Sequence, residues 1–409
     1  MRFNYLSFYF GLMSGFLLLT TGNTLNFWLA KDGSSTEIIG LFSLVSLPYA
    51  INFLWAPILD QMELSFLSFI SENKRIRLLF VLHFFAAFML FLMSLCDISD
   101  NYFEIAILSL FVSFFSSSQD IVLNALRTEI IPRHLTKKTS GIYIFGYRFG
   151  MILSGSVAIY LSSIISWQAI YFLFGFATIL FPFGIYIFSL YIDTTKISAL
   201  SKAKFSHNLS YIISSIGSFG FVILILIFLC LYRIADNFIS VMLNPFLLSS
   251  GYVESQIAFA GKFCGIIGSA IGGIISYKFL EKYKISDCLL YFAALHALAH
   301  LGYISLEFVD STSSNLLIVT LLESVTGGMT MAAYIALISS LCSGKFRATQ
   351  YAVFTAMMGA SRTILPSIAG KIAVILGWKL FFLISVFLVI PSLSILIFLK
   401  SEIDIKLDD

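Results

Sequence analysis

The chain alternates long apolar runs with short polar breaks, and the runs have one characteristic length. Twelve stretches, approximately 6–29, 37–59, 76–95, 103–127, 140–163, 167–191, 213–243, 254–277, 285–306, 314–342, 348–371 and 377–400, stand between polar breaks. Each is close to the ~20 residues that a helix needs to cross the hydrocarbon of a bilayer. The longest polar connection, "IDTTKISALSKAKFSHNLSYI" (192–212), divides them six and six. The pattern predicts an all-α integral membrane protein with twelve transmembrane helices in two six-helix bundles. The expected divisions are 1–192, a cytoplasmic linker at 193–212, and 213–409 with a short cytoplasmic tail. The apolar stretch at the N-terminus continues past the length of a signal-peptide core, so it reads as an uncleaved first helix.

The halves look related. "LNFWLAKDGSSTEIIG" (25–40) and "LNPFLLSSGYVESQIA" (243–258) share Leu, Asn, Leu and Gly at the same offsets. "GYRFG" (146–150) and "GASRT" (359–363) each put an arginine in the fifth helix of a half. Two parallel-related bundles with a solute site between them near midplane is the major-facilitator arrangement. Seventeen of the 25 Lys and Arg fall on alternate loops together with both termini, while Lys31, Lys371 and Lys379 occupy the opposite side. By the positive-inside rule both termini are cytoplasmic, which suits a multi-pass protein of a bacterial inner membrane.

Composition agrees and narrows the function. Hydrophobic residues make up 59% and charged residues 11% of 409 positions, against about 25% charged in soluble domains. A net charge of +3 gives no reason to expect nucleic acid as a partner. Five cysteines stand singly, without the spacing of a metal or disulfide framework. No nucleophile–base set, phosphate loop or cofactor motif is evident, so the chain reads as a transporter rather than an enzyme, with no cofactor.

Charges within the spans are therefore informative, since each costs about 2.5–3.5 kcal/mol at the bilayer centre on insertion scales. They are Asp120, Arg148, Arg233, Asp236, Lys262, Glu323 and Arg362. Ser116, Asp120, Asn124 and Arg127 lie on one helical face, and such a stripe must face the interior. Counting about 1.5 Å per residue puts Asp120 and Arg148 at similar depth on consecutive helices, where they can pair. Asp120 and Glu323 are candidate proton carriers, because burial and a nearby cation move a carboxyl in opposite directions. Asp236 and Lys262 are expected either to tie the seventh and eighth helices together or to serve the path with Arg233 and Arg362.

Other candidates are weaker. Gly22, Asn23 and Trp28 in "TGNTLNFWL" offer groups that suit a sugar, although Trp28 reads equally well as an interface anchor. Asp60 in "WAPILDQ" reads as a gating contact at the cytoplasmic face. His296 and His300 have a metal-compatible i, i+4 spacing, but no third ligand stands near them in sequence and the ninth helix is expected at the periphery, so no metal is expected.

Several stretches carry a resemblance. "STEIIGLFSLVSLPYAINFLWAPILDQ" (35–61), "FFSSSQDIVLNALRTEII" (114–131), "GYRFGMILSG" (146–155), "LYRIADNF" (231–238) and "LLESVTGGMTMAAYIALISSLCSGKFRATQYAVFTAM" (321–357) resemble the AmpG muropeptide permeases, in order and through almost the entire chain. The resemblance implies import of N-acetylglucosaminyl-1,6-anhydro-N-acetylmuramyl peptides for peptidoglycan recycling. It further implies coupling to the proton motive force and, in some bacteria, a link to β-lactamase induction. It matches Gln119 and Asp120 to the family's Gln-Asp pair, Arg148 to its fifth-helix arginine, Asp236 to its seventh-helix acid and Gly22 to its first-helix glycine. Asn124 stands where many relatives carry a second acid, and Gln61 where Arg is usual. The expected partners are muropeptide, protons and membrane lipid, with the chain a monomer. A carrier of another large anion, such as a CoA ester or drug, and a non-transporting membrane sensor remain the alternatives.

Overall fold

The computed structural model describes residues 2–98, 101–131, 136–190, 218–341 and 347–408, which are helical with no strand among them. The expected linker at 193–212 lies outside the described residues. Ten helical segments are long and apolar enough to cross a membrane. The last of them, Val353–Ile405, carries two crossings, because Gly377 at φ 73° leaves the helix between them. The broken apolar stretch that begins at Thr36 supplies one more, so the chain is a twelve-helix membrane protein.

It separates into two compact units, Met1–Asp32 with Val45–Ser206, and Gly33–Leu44 with His207–Asp409. In the first unit the first and fifth spans pack backbone to backbone. A Cβ on Gly11 or Gly15 would meet a backbone oxygen of Tyr143 or Tyr147 at 2.0 Å, and one on Gly146 would meet Phe8 O at 2.0 Å. The glycines of "GYRFG" therefore serve this contact and leave Arg148, half-buried, between them. In the second unit Gly272 and Gly328 bring the eighth and tenth spans equally close. Small residues allow this approach, which gains dispersion that lipid tails cannot supply.

Several spans are not the single helices that the hydrophobic pattern predicts, the first, second and seventh among them. The first divides into Arg2–Thr20 and Asn23–Lys31. Glycine costs about 1 kcal/mol inside a helix, and the orphaned Thr20 carbonyl accepts from the Tyr171 hydroxyl at 2.7 Å. The second breaks into short α and 3₁₀ pieces over Thr36–Gln61, with Pro48 and Pro57 each removing a backbone donor. The seventh divides at Arg233 into Phe219–Tyr232 and Ile234–Ser249. It also runs past the expected end at 243, because Pro245 sits in it without terminating it.

The internal repeat is real in geometry. Gly33 and Gly251, aligned by the matching stretches, have φ of 84° and 86°, the left-handed conformation that closes a helix at the residue after its cap. The aromatic packing repeats as well. Trp28 stacks on Trp167 and Tyr171 at 5.9 and 4.9 Å. Phe246, one turn from its own glycine, packs on Trp378 and Phe382 at 5.5 and 4.8 Å. Trp28 is only 2% exposed. It is neither a free sugar platform nor an interface anchor in this structure, because its ring faces are taken by the repeat's own aromatic seat.

Candidate functional site

In the first unit the polar face of the fourth span (Tyr102–Ile130) meets three other spans. The Tyr49 hydroxyl donates to Ser116 Oγ at 2.6 Å, and the Ser14 hydroxyl donates to Asp120 Oδ1 at 2.6 Å. The Asn124 amide donates to the Asp120 carbonyl one turn back at 2.9 Å and stays exposed. The Arg127 guanidinium lies 4.4 Å from the Tyr143 ring centroid, a cation–π contact. Ser116, Asp120 and Arg127 are thus held against neighbouring spans while Asn124 stays exposed, and the contact that fixes the Asp120 carboxyl comes from the first span. Arg148 is half-buried on the fifth.

Gln119 points elsewhere. One residue along the helix from Asp120, it is 1% exposed, and neither amide atom has a partner among the described residues. It was expected on the path, and in this structure its side chain is buried. Gly22 and Asn23 stand half-buried at the break of the first span, where Thr24 donates to Ser154 O at 2.6 Å. Ser154 itself belongs to a π-helical turn, Ile152–Val157, in the fifth span. The side chains of Asp60 and Lys262 lie outside the described residues, so neither the gating contact nor the Asp236–Lys262 pair can be located.

The second unit holds a denser cluster. The register that aligns Gly33 with Gly251 sets Gly15, next to Ser14, opposite Arg233. Ser14 reaches the fourth span, and Arg233 donates through Nη1 to Thr330 Oγ1 on the tenth at 3.1 Å. Its Nη2 binds Asp236 Oδ2. Asp236 sits in the first turn after the break, where the helix dipole favours an acid. Its other oxygen faces His296 Nε2 at 3.5 Å. The His296 and His300 rings are 4.6 Å apart. Glu323, half-buried, accepts from the Ser324 hydroxyl at 3.1 Å. Arg362 is exposed on the eleventh span.

One donor atom each from Asp236, His296, His300 and Glu323 lie within 4.8 Å of one another. This overturns the expectation that the histidines have no third ligand nearby. That expectation rested on a peripheral ninth helix, whereas His296 and His300 are 5% and 1% exposed. Gly327 makes the room, since a Cβ there would lie 3.0 Å from His296 Cε1. The only signal in the sequence was an i, i+4 histidine pair without an evident role.

A fold of twelve spans in two internally repeated units with charged interiors is matched by the model of one family, the Major Facilitator Superfamily, over residues 5–321. The chain belongs to this superfamily. It is 44% identical over 399 residues to "Putative transporter AmpG 1" of Rickettsia bellii, a match covering 96% of this chain and 97% of that one. It is also 44% identical over 406 residues to "Putative transporter AmpG 1" of Rickettsia conorii, with the same coverages. Among solved structures it resembles the nucleoside transporter NupG, with a TM-score of 0.69 at 15% identity over 96% of this chain and 98% of that one. An inward-open structure of the xylose transporter XylE from E. coli gives a TM-score of 0.68 at 12% identity, over 96% and 94%. These structures share its fold. The chain is therefore a multi-pass membrane transporter of an AmpG-type group.

Proposed function

We propose that this transporter imports anhydromuropeptides across the bacterial inner membrane for peptidoglycan recycling, with uptake coupled to inward proton movement. The solute crosses by alternating access, and both termini face the cytoplasm. The observation that carries this reading is the state of the equivalent first and seventh spans. Both are discontinuous, and discontinuous helices in matching positions of two halves are where superfamily-like repeats place their solute and coupling ions.

Each broken span also carries an acid or an acid's hydrogen-bond donor, Ser14 about two turns before the first break and Asp236 just after the second. Near the first break, Ser14 holds Asp120, an interior carboxyl that can take up and release a proton as its surroundings change. At the second, Arg233 and Asp236 flank the interruption directly. The high identity to AmpG-named relatives over nearly the whole chain supports a shared solute class. The hydroxyl, amide and guanidinium groups along both interiors suit a ligand that carries sugar hydroxyls and peptide carboxylates.

The test is uptake of labelled anhydromuropeptide into right-side-out vesicles, with and without an imposed inward proton gradient. Saturable uptake that collapses with an uncoupler, and loses its gradient dependence in Asp120→Asn, is the expected result. Gradient-dependent uptake at wild-type rate in Asp120→Asn would remove Asp120 from coupling. No uptake by folded, inserted protein would reject the solute. A panel of CoA esters and drugs would then test the other anionic cargo, and failure of that panel would leave the sensor.

A further inference from the structure

We infer that Asp236, His296, His300 and Glu323 form a binding site for one divalent transition-metal ion of the Zn²⁺ type. The ion would clamp the broken seventh span to the ninth and tenth. This site lies wholly within the second unit, and the inference does not depend on what the chain carries.

The hydrogen bonds of the two imidazoles carry the argument. His296 Nδ1 lies 3.0 Å from Thr326 Oγ1. That hydroxyl has a single proton, directed at the Leu322 and Glu323 carbonyls of its own helix, both at 2.9 Å. With that proton on a carbonyl, Thr326 accepts and His296 carries its own proton on Nδ1. His300 repeats the arrangement. Its Nδ1 is 3.3 Å from Ser385 Oγ, whose proton goes to Phe382 O at 2.6 Å. In that arrangement both rings present Nε2 as a bare lone pair. Fixing the far nitrogen of a histidine with an outer partner is how metal-binding imidazoles are oriented.

The second observation is an unmet atom. His296 Nε2 is buried without a hydrogen-bond partner, yet it faces Asp236 Oδ1 at 3.5 Å. That contact is attractive only with a cation between the two atoms, either a proton on Nε2 or a metal ion, and the buried pair gives a metal ion two ready donors. Donor spacing fits a modest closure. Four ligands about 2.0–2.2 Å from a tetrahedral ion lie ~3.3–3.6 Å apart, against the 4.8 Å limit within which these atoms fall. Two nitrogens and two carboxylates select a borderline ion such as Zn²⁺ over Ca²⁺ or Mg²⁺, which take oxygen shells of six or more.

Arg233 sets the strength of the site. It holds Asp236 Oδ2 and so aims Oδ1 inward, but it also brings a positive charge. Two carboxylates against one guanidinium leave one negative charge in the empty cluster, and a divalent ion turns this into one positive charge. Charge balance therefore gives no large gain, and the ion is exchangeable rather than permanently held. Because Asp236 lies just beyond the break at Arg233, binding favours whichever arrangement of the seventh span keeps the carboxylate against the histidines.

The test uses the full-length chain, free of any histidine tag, in detergent micelles after stripping with a chelator. Titration with Co²⁺ should give the intense visible bands of a tetrahedral ion at one equivalent per chain, and Zn²⁺ should bleach them. His300→Gln and Glu323→Gln should abolish the bands or weaken binding by more than about 100-fold. Thr326→Val keeps every ligand but loosens the His296 ring, and should weaken binding by about 10–100-fold. His83→Gln, a buried histidine of the first unit, should leave binding unchanged. Absence of stoichiometric tetrahedral Co²⁺ in monodisperse wild-type protein would overturn the site. So would wild-type affinity in Thr326→Val, which remains decisive if the ligand variants fail to fold.

Discussion

Two adjacent glycines of the eighth span offer a sharp test of the packing. A Cβ built on Gly272 falls 1.9 Å from Val325 O, 2.8 Å from Val325 C and 3.0 Å from Met329 N, all backbone atoms of the tenth span. Ordinary contact begins at 3.4 Å, so the shortfall is about 1.5 Å at the oxygen, and no side-chain rotation can relieve it. Gly272→Ala must push the two spans apart. Overpacking of this kind costs typically about 1–3 kcal/mol, and the backbone character of every clash places this case at the upper end. Gly273, the next residue, has nothing within 4 Å of its built Cβ. Gly273→Ala should be neutral or stabilising by about 0.5–1 kcal/mol, since alanine is the better helix former. Thermal unfolding of both variants in the same detergent, followed by loss of the monodisperse peak on size exclusion, compares them directly. A clear fall in Tm for Gly272→Ala beside an unchanged or raised Tm for Gly273→Ala is the expected result. Equal Tm values would refute the inferred helix–helix distance.

Three further outcomes follow from single contacts. Ser14→Ala removes the hydroxyl that donates to Asp120 at 2.6 Å, a bond to a charged group worth about 1.5–3 kcal/mol; proton-driven uptake should fall, Ser14→Thr should restore it, and equal uptake in all three would separate Ser14 from coupling. Gln119→Leu deletes two buried atoms that lack partners among the described residues and should raise Tm by relieving a penalty of about 1–3 kcal/mol; a lowered Tm would show that the amide is satisfied. Trp28→Ala empties a fully packed aromatic seat and should cost about 3–5 kcal/mol while leaving the uptake KM of the folded fraction unchanged; a raised KM at constant stability would return Trp28 to the solute path.

The number of spans was legible because bilayer thickness imposes a length on every crossing, and that length survives any detail of packing. The stripe on the fourth span was legible for a similar reason. Ser116, Asp120 and Asn124 recur at helical period, and polar groups cannot face lipid. The breaks were not legible. Hydropathy registers side chains, whereas the first span is interrupted by an exchange of backbone partners, with Tyr171 taking the Thr20 carbonyl. Nor could the sequence show that Gln119 and Asp120 part company, one into full burial and the other onto Ser14. Their adjacency in sequence puts them about 100° apart around the helix.

The histidine cluster shows a deeper limit. Its ligands come from three spans separated by long stretches of chain, and two of them were rated by position alone, as members of an expected peripheral helix. Their role depends on Gly327, which clears a slot for the His296 ring, and on Thr326 and Ser385, whose own protons are held by helix carbonyls. None of these three residues has a metal-binding signature. Glycine, threonine and serine in membrane helices usually signify packing, and here they do pack. The same packing also holds His296 Nε2 3.5 Å from an Asp236 oxygen beside a broken helix. In this chain the close contacts between helices and the chemistry of the interior are set by the same small residues, so a substitution that alters one is expected to alter the other.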